Sequence, residues 1–546
     1  MTTFLRFKDL PVQEIKIPRE KEGEEDDESS STTVLTDATM ATTPQQAMDS
    51  VAHLKFPPDF LWGTATAAYQ VEGGLPNCNW SMWEDQGTRP HDGQPTVEHH
   101  QRAGRACDSW NRFLKQDLPL LERLGVRMYR FSIEWSRIEP EPGVYDEQVL
   151  ERYKSWCQQL KKRGIEPMIT LHHFTEPAWF VKRGGWERRD NLRYFEAFCQ
   201  TTTSVLAPYC RYWTTINELN GYAICGWIAG VHPPGKVNDL FGMLRVVRHL
   251  LIAHTLATKA IRAASATKQE APIICLALNH VLFLTAKSRA PPVSLFSILD
   301  WISWICDRVI STIVALFLNY VYNFVFLDAI FSRRHAGRFP FFPIPFQAAA
   351  YLAGWSKDIR QLKASADWIG VNHYYRSYVQ FGRTAKAAAA AAAASKSSAP
   401  PRQASPTDMF IALPLGLEIR ATAISNFEKN EMGWDLTPSS MTRLLQMLWD
   451  RYEHPIIITE SGTADTTDLK RVRYIAAILS SIHDLMSKEE EDSRVDIRGY
   501  LIWTLMDNFE WAEGFRPKFG LCSTDFETME RKERKATCDM LRAVFQ

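Results

Sequence analysis

Two glutamates end short apolar runs that read as buried strands. Glu460 follows Ile456-Ile457-Ile458-Thr459 and precedes Ser461-Gly462, and Glu218 follows Tyr212-Trp213-Thr214-Thr215-Ile216-Asn217. An uncharged run ending at a turn is the pattern of a parallel strand covered on both faces. Barrel enzymes gather their chemistry at the carboxyl ends of such strands. Two carboxylates facing each other across a barrel mouth can cleave a glycosidic bond. One gives a proton to the leaving oxygen, and the other attacks the anomeric carbon or activates water. The competing reading for either glutamate is an ion pair with a base such as Arg130. A metal site is the other alternative, prompted by His172-His173, but adjacent side chains at a strand end diverge and no ligand spacing follows. The sequence has no Gly-x-Gly-x-x-Gly and no evident Ser/His/Asp arrangement, so no metal and no cofactor are expected.

The elements that must hold these residues can be read in order. Candidate strands are Phe60–Ala65, Met128–Ile133, Pro167–His172, Tyr212–Ile216, Ile273–Leu278, Trp368–Asn372, Ile456–Thr459 and Ile497–Trp503. Helical patterns lie between them, such as 149–163 with Leu150, Tyr153, Trp156, Cys157 and Leu160 on one face. Eight strand–helix units predict an α/β protein, a (β/α)8 TIM barrel with loop insertions, forming one catalytic domain over 53–546. The strand ends deliver Gln70 and Glu72, Arg130 and Glu134, His172-His173, Asn217-Glu218, Asn372-His373-Tyr374, Glu460, then Trp503 and Asp507 to Trp511. Structural glutamates would not all collect at one end.

With 546 residues, 45% hydrophobic and formal net charge zero, the chain can bury a large core and has no nucleic-acid footprint. Its 18 Trp and 17 Tyr fit either a large aromatic core or a cleft lined with flat faces for sugar rings. The ten Cys form no Cys-x-x-Cys pair and read as buried thiols of a reducing compartment. No apolar leader follows Met1, so a cytoplasmic location is expected. Residues 1–52, acidic and Ser/Thr-rich, are expected to be a disordered tail. Residues 383–407, with eight consecutive Ala, read as a low-complexity loop on the mouth side. Residues 293–331 are apolar, with an insertion placed at 288–311. The main reading is a barrel helix fed by that insertion, and the alternative is peripheral membrane contact along 293–331.

The chain resembles family 1 glycoside hydrolases, the β-glucosidase family. The motifs that carry this are Phe60 to Gly73, Tyr129 to Ile138, Thr170 to Phe174, Thr215 to Glu218, Gly370 to Tyr374, Ile458 to Gly462, Trp503 to Gly514 and Lys518 to Leu521. They run in family order over residues 56 to about 545. The resemblance implies a retaining β-glycosidase acting on β-D-glucosides, or on β-galactosides or β-fucosides, by way of a covalent glycosyl-enzyme, with the carboxyls about 5 Å apart. Glu218 would be the acid/base and Glu460 the nucleophile. Arg130 and Tyr374 would keep Glu460 ionised, a nearby cation and hydrogen bond lowering its carboxyl pKa, Asn372 would support, and Asn217 would meet the sugar 2-hydroxyl. Gln70, His173 and Glu510 would bind the remaining hydroxyls, with Trp511 assisting and Trp503 as platform. Two residues depart from the family: Leu219 where Pro is usual and Ser461 where Asn is usual. Transfer to a sugar or glycolipid acceptor is the alternative activity, and a non-catalytic sugar-binding relative is a remote third.

Overall fold

The computed structural model describes residues 40–266, 270–285, 298–331, 355–383, 409–413, 417–422, 427–488, 490 and 493–545 of the protein. Eight parallel strands close into a barrel. They are β1 (Leu61–Thr66), β2 (Met128–Ser132), β3 (Glu166–His172), β4 (Tyr212–Asn217), β5 (Ile273–Asn279), β7 (Trp368–Asn372), β11 (Ile456–Ser461) and β12 (Ile497–Trp503). All eight strands expected from the sequence are present, and the closed order is β1-β12-β11-β7-β5-β4-β3-β2. Met128, Met168, Tyr212, Cys275, Ile457 and Leu501 fill the barrel interior as an apolar layer of their own. Side chains alternate along a strand, so positions two residues further up the same strands (Arg130, Thr170, Thr459) point into the barrel above that layer.

Strict alternation would then turn Glu460, the neighbour of inward Thr459, toward the outer helices. It does not turn outward, because β11 slips register against both neighbours between Ile458 and Ser461. β4 slips against β5 between Thr214 and Asn217. Both glutamate-bearing strands thus carry an irregularity at their carboxyl ends, the device by which sheets re-aim a side chain.

A second sheet sits beyond the mouth. Its order is β6 (Leu282–Thr285), β8 (Arg376–Arg383), β10 (Leu417–Thr422) and β9 (Met409–Leu413). The expected Ala-rich loop begins at Arg383, the last residue of β8, and 384–407 lies outside the described residues. The apolar stretch is a long helix, Ile298–Asn319, running through a π-turn at Tyr320–Phe324 into Val325–Phe331. Its end is the expected barrel helix: every residue from Val325 to Phe331 is buried, and Asp328 is gripped by Arg451. Its earlier part packs on β6 and β8. By length and composition alone, Arg308–Phe331 is apolar enough to cross a membrane, as is the more buried Leu240–Ala264.

The expected disordered tail needs one correction. Residues 1–39 lie outside the described residues, but Pro44–Val51 is a helix. Thr43 caps it by accepting from the Gln46 amide, Gln46 returns the bond to Thr43, and Pro44 opens the first turn. Ala47 and Val51 are buried against the Leu469–Met486 helix. Composition alone misses so short a helix because its stability comes from a cap and from packing.

Candidate active site

Arg130 stands at the centre of the mouth, 1% exposed. A guanidinium so buried needs all its donors engaged. Nη1 meets Glu460 Oε1 at 2.5 Å and Nη2 donates to Asn217 Oδ1 at 2.6 Å. Nε donates to Thr170 Oγ1 at 3.0 Å. The other oxygen of Glu460 accepts from the Tyr374 hydroxyl at 2.8 Å. Asn372 bridges the two glutamates' strands: its Nδ2 donates to Glu218 Oε1 at 2.8 Å and to Asn217 Oδ1 at 3.1 Å, while Thr459 donates to its Oδ1 at 2.6 Å.

These bonds settle the orientation of Asn217. Its oxygen takes two donors, so its Nδ2 is the group 3.0 Å from His173 Nε2. That nitrogen must accept, which leaves the His173 proton on Nδ1. Nδ1 is buried and has no protein partner. Burial first, then the charges of Arg130 and His172, hold His173 well below its usual pKa, so the ring stays neutral. Gln70 has the complementary vacancy. Its Nε2 is committed to Asn508, Phe509 and Glu510, and its Oε1 is buried without a partner. A neutral N–H donor and a carbonyl acceptor, both dry and both unpaired, suit neighbouring hydroxyls of a sugar.

The Trp503 and Trp511 rings lie roughly parallel to the His173 ring, with centroids 5.9 and 6.1 Å away. Trp511 also lies parallel to Tyr69. Glu510 bonds Trp503 and Gln70. All eleven site residues read from the sequence therefore belong to one connected set. The wider aromatic count divides: Trp80, Trp135 and Trp213 are fully buried core, whereas Trp503 and Trp511 line the site. His172 and His173 diverge as expected, His172 turning to Glu176 at 3.3 Å. Among the described residues no group of three or more His, Cys, Asp or Glu is placed to hold a metal ion.

Electrostatics separate the two carboxyls. Burial, and then the charge of Glu460, push Glu218 up to about 8, against the pull of Asn372 and Asn279. Glu460 corrects an expectation: burial raises it too, and Arg130 and Tyr374 work against that rise instead of holding it below the ordinary value. Among the described residues the Arg130 guanidinium bonds Glu460, while the side chains bonded to Glu218 are the amides of Asn372 and Asn279, so Glu218 is the carboxyl that holds a proton more readily.

Of the two family departures, Leu219 is accommodated by the backbone. Glu218 adopts left-handed backbone (φ 45°) and Leu219 begins the Leu219–Trp227 helix. That is the first-turn position where proline fits equally well, so the turn persists with leucine. Ser461 is fully buried and contributes none of the bonds that hold Glu460. Asn279 was missed. It ends β5 beside Asn372 in the barrel register, and its Nδ2 donates to Glu218 Oε2 at 3.1 Å. The signal was present, since Asn279 is the polar residue that closes an uncharged strand.

The sequence profile of glycosyl hydrolase family 1 matches residues 52–539. The chain belongs to this family. It is 27% identical over 499 residues to β-glucosidase A of Acetivibrio thermocellus, covering 88% of this chain and 96% of that one. It is 28% identical over 519 residues to β-glucosidase 11 of Arabidopsis thaliana, covering 88% and 91%. Among solved structures, the family 1 β-glucosidase of Thermotoga maritima matches with a TM-score of 0.72 at 25% identity, covering 90% of this chain and 98% of that one. The β-glycosidase of Pyrococcus horikoshii matches with a TM-score of 0.66 at 30% identity, covering 90% and 95%. The family 1 chain described here is thus a glycosidase that hydrolyses O-glycosyl compounds.

Proposed function

We propose that the protein removes terminal β-D-glucosyl residues, and accepts β-galactosyl or β-fucosyl ones, with retention of configuration through a covalent glycosyl-enzyme on Glu460. The observation that carries this is the unequal setting of the two buried carboxyls: one on a guanidinium and a phenol, the other on amides. Glu218 gives its proton to the leaving oxygen as Glu460 attacks, then takes a proton from the water that releases the sugar. Asn217 meets the 2-hydroxyl, while His173, Gln70 and Glu510 take hydroxyls farther round a ring seated on Trp503. A related β-glucosidase, that of Thermotoga maritima, has been solved in complex with glucoimidazole. The test is NMR of the first anomer released from aryl β-glucosides. A β-anomer supports the proposal, and an α-anomer or no release from any aryl β-glycoside overturns it.

One observation favours a second reading, transfer to a glycolipid acceptor. Val309, Ile313, Leu316 and Phe317 fall on one helical face and are 50%, 60%, 46% and 41% exposed. An apolar face on a helix that continues to the mouth suits a lipid-borne acceptor met at a membrane surface. Flotation with galactolipid vesicles that persists in Ile313→Glu would count against it.

A further inference from the structure

The outer strand β6 has one edge open, and three asparagines close the chain segment that leads into it. Asn220 accepts from the Asn279 amide and donates to the Asn279 carbonyl, at 3.2 and 2.7 Å. Asn323 does the same for Val281 at 3.1 and 2.8 Å. Asn319 does so for Phe283 at 3.1 and 2.6 Å. Residues 279, 281 and 283 share one edge, and a carboxamide reproduces the donor and acceptor of a missing strand. Asn319 and Asn323, one helical turn apart, therefore fix the rotation and height of the insertion helix against β6. That register brings Tyr322 over Asn279: its hydroxyl donates to Asn279 Oδ1 at 3.1 Å, and Asn220 Nδ2 also holds the Tyr322 carbonyl at 3.2 Å. With the oxygen of the Asn279 amide occupied by a donor, its nitrogen is the end that faces Glu218 Oε2.

We infer that Tyr322 is a positioning residue for the proton donor, fixing the Asn279 amide so that N–H and not C=O meets Glu218. This rests on the reading of Glu218 as acid/base and adds to it a residue from the apolar insertion. Without the hydroxyl the amide is free to turn. A carbonyl facing Glu218 would bond its proton and draw it away from the leaving oxygen. The groups facing Glu218 are Glu460 from β11, Arg130 from β2, Tyr374 after β7, Cys225 on its own helix and Tyr322. Only the last changes in the test variant.

The experiment compares wild type, Tyr322→Phe, Asn279→Ala and the double variant on aryl and alkyl β-glucosides of graded leaving-group acidity. The phenylalanine keeps the ring packed edge-on against Phe283. The expected result is a fall in kcat/KM of about 3- to 10-fold for poor leaving groups and almost none for activated ones, because only the former need the acid. The alkaline limb should move to higher pH, since an N–H donated to a carboxylate favours its charged form. The double variant should match Asn279→Ala alone. An equal loss across leaving groups with an unmoved limb, or additive effects in the double variant, would overturn the inference. 3-Fluorotyrosine at 322, a stronger donor of nearly the same shape, should move the limb the other way, so the test survives a poorly folding phenylalanine variant. Wild-type enzyme inert on the whole series would instead overturn the assignment of Glu218.

Discussion

Proton ownership is decided by neighbours, because Glu218 and Glu460 are both carboxyls in dry surroundings. Burial lifts each, but the Arg130 guanidinium is bonded to Glu460 and acts on Glu218 only from a distance, as the smallest of its influences. kcat/KM should fall as pH rises through about 8, where Glu218 loses its proton. Glu218 should be lowered when the charge of Glu460 disappears, since that charge is the second largest cause of its rise. In Glu460→Gln, carbon-13 NMR of the Glu218 carboxyl should therefore titrate lower than in wild type. The same variant should lose turnover by about 10⁴-fold or more, as when other covalent nucleophiles are removed. An unshifted carboxyl signal would mean that Glu460 is uncharged or remote. At this scale the sequence was highly legible: seven of the eleven site residues lie within two residues of a strand's carboxyl end, Gln70, Glu510 and Trp511 lie in the segments that follow β1 and β12, and Arg130 lies inside β2. What it could not show was the state of each group. The expected lowering of Glu460 ignored burial, and the roles of the His173 and Gln70 vacancies emerge only once their partners are counted.

Among the elements, the eight strands were visible as short, largely apolar runs, but the aim of their last residues was not. Period-two alternation points Glu460 outward, and a register slip turns it in. Such a slip leaves no mark in composition. The accessory sheet and the asparagine ladder were equally hidden, because Asn319 and Asn323 sit inside a run that reads as uniformly apolar. Gly462 follows the nucleophile strand, and a Cβ on it would lie 2.0 Å from the Trp503 carbonyl oxygen. Gly462→Ala must push β11 and β12 apart beneath the sugar platform, so KM should rise and kcat fall together by about tenfold or more, measurable on any accepted aryl glycoside. Thr43→Ala removes the cap of the first helix and should cost about 1 kcal/mol of stability, with no change in kcat/KM. Loss of activity there would show that the helix does more than cover the Leu469–Met486 helix.

Over the whole molecule, the site is assembled at the expense of stability at high pH. Glu218 and Glu510 are raised to about 8, and Glu72 and Glu84 to about 7, each chiefly by burial. A carboxyl raised by folding binds its proton more tightly in the native state than in the unfolded chain. Its contribution is neutral below the unfolded value near 4.5 and grows unfavourable as pH climbs to the folded value. The thermal midpoint should therefore decline from about pH 5 to pH 9. Glu218→Gln should raise it at pH 9 by about 1–3 °C and leave it nearly unchanged at pH 5. A midpoint gain independent of pH would assign the effect to packing.

The measurement that bears most directly on the account is peptide mapping after inactivation with a 2-deoxy-2-fluoro-β-D-glucoside carrying a good leaving group. The fluorine slows release of the glycosyl-enzyme, so the ester accumulates. The account predicts time-dependent loss of activity and one added fluoroglucosyl unit on the peptide containing Glu460. A label on Glu218 or any other residue, or undiminished activity with no label on wild type that turns over ordinary glucosides, would contradict it.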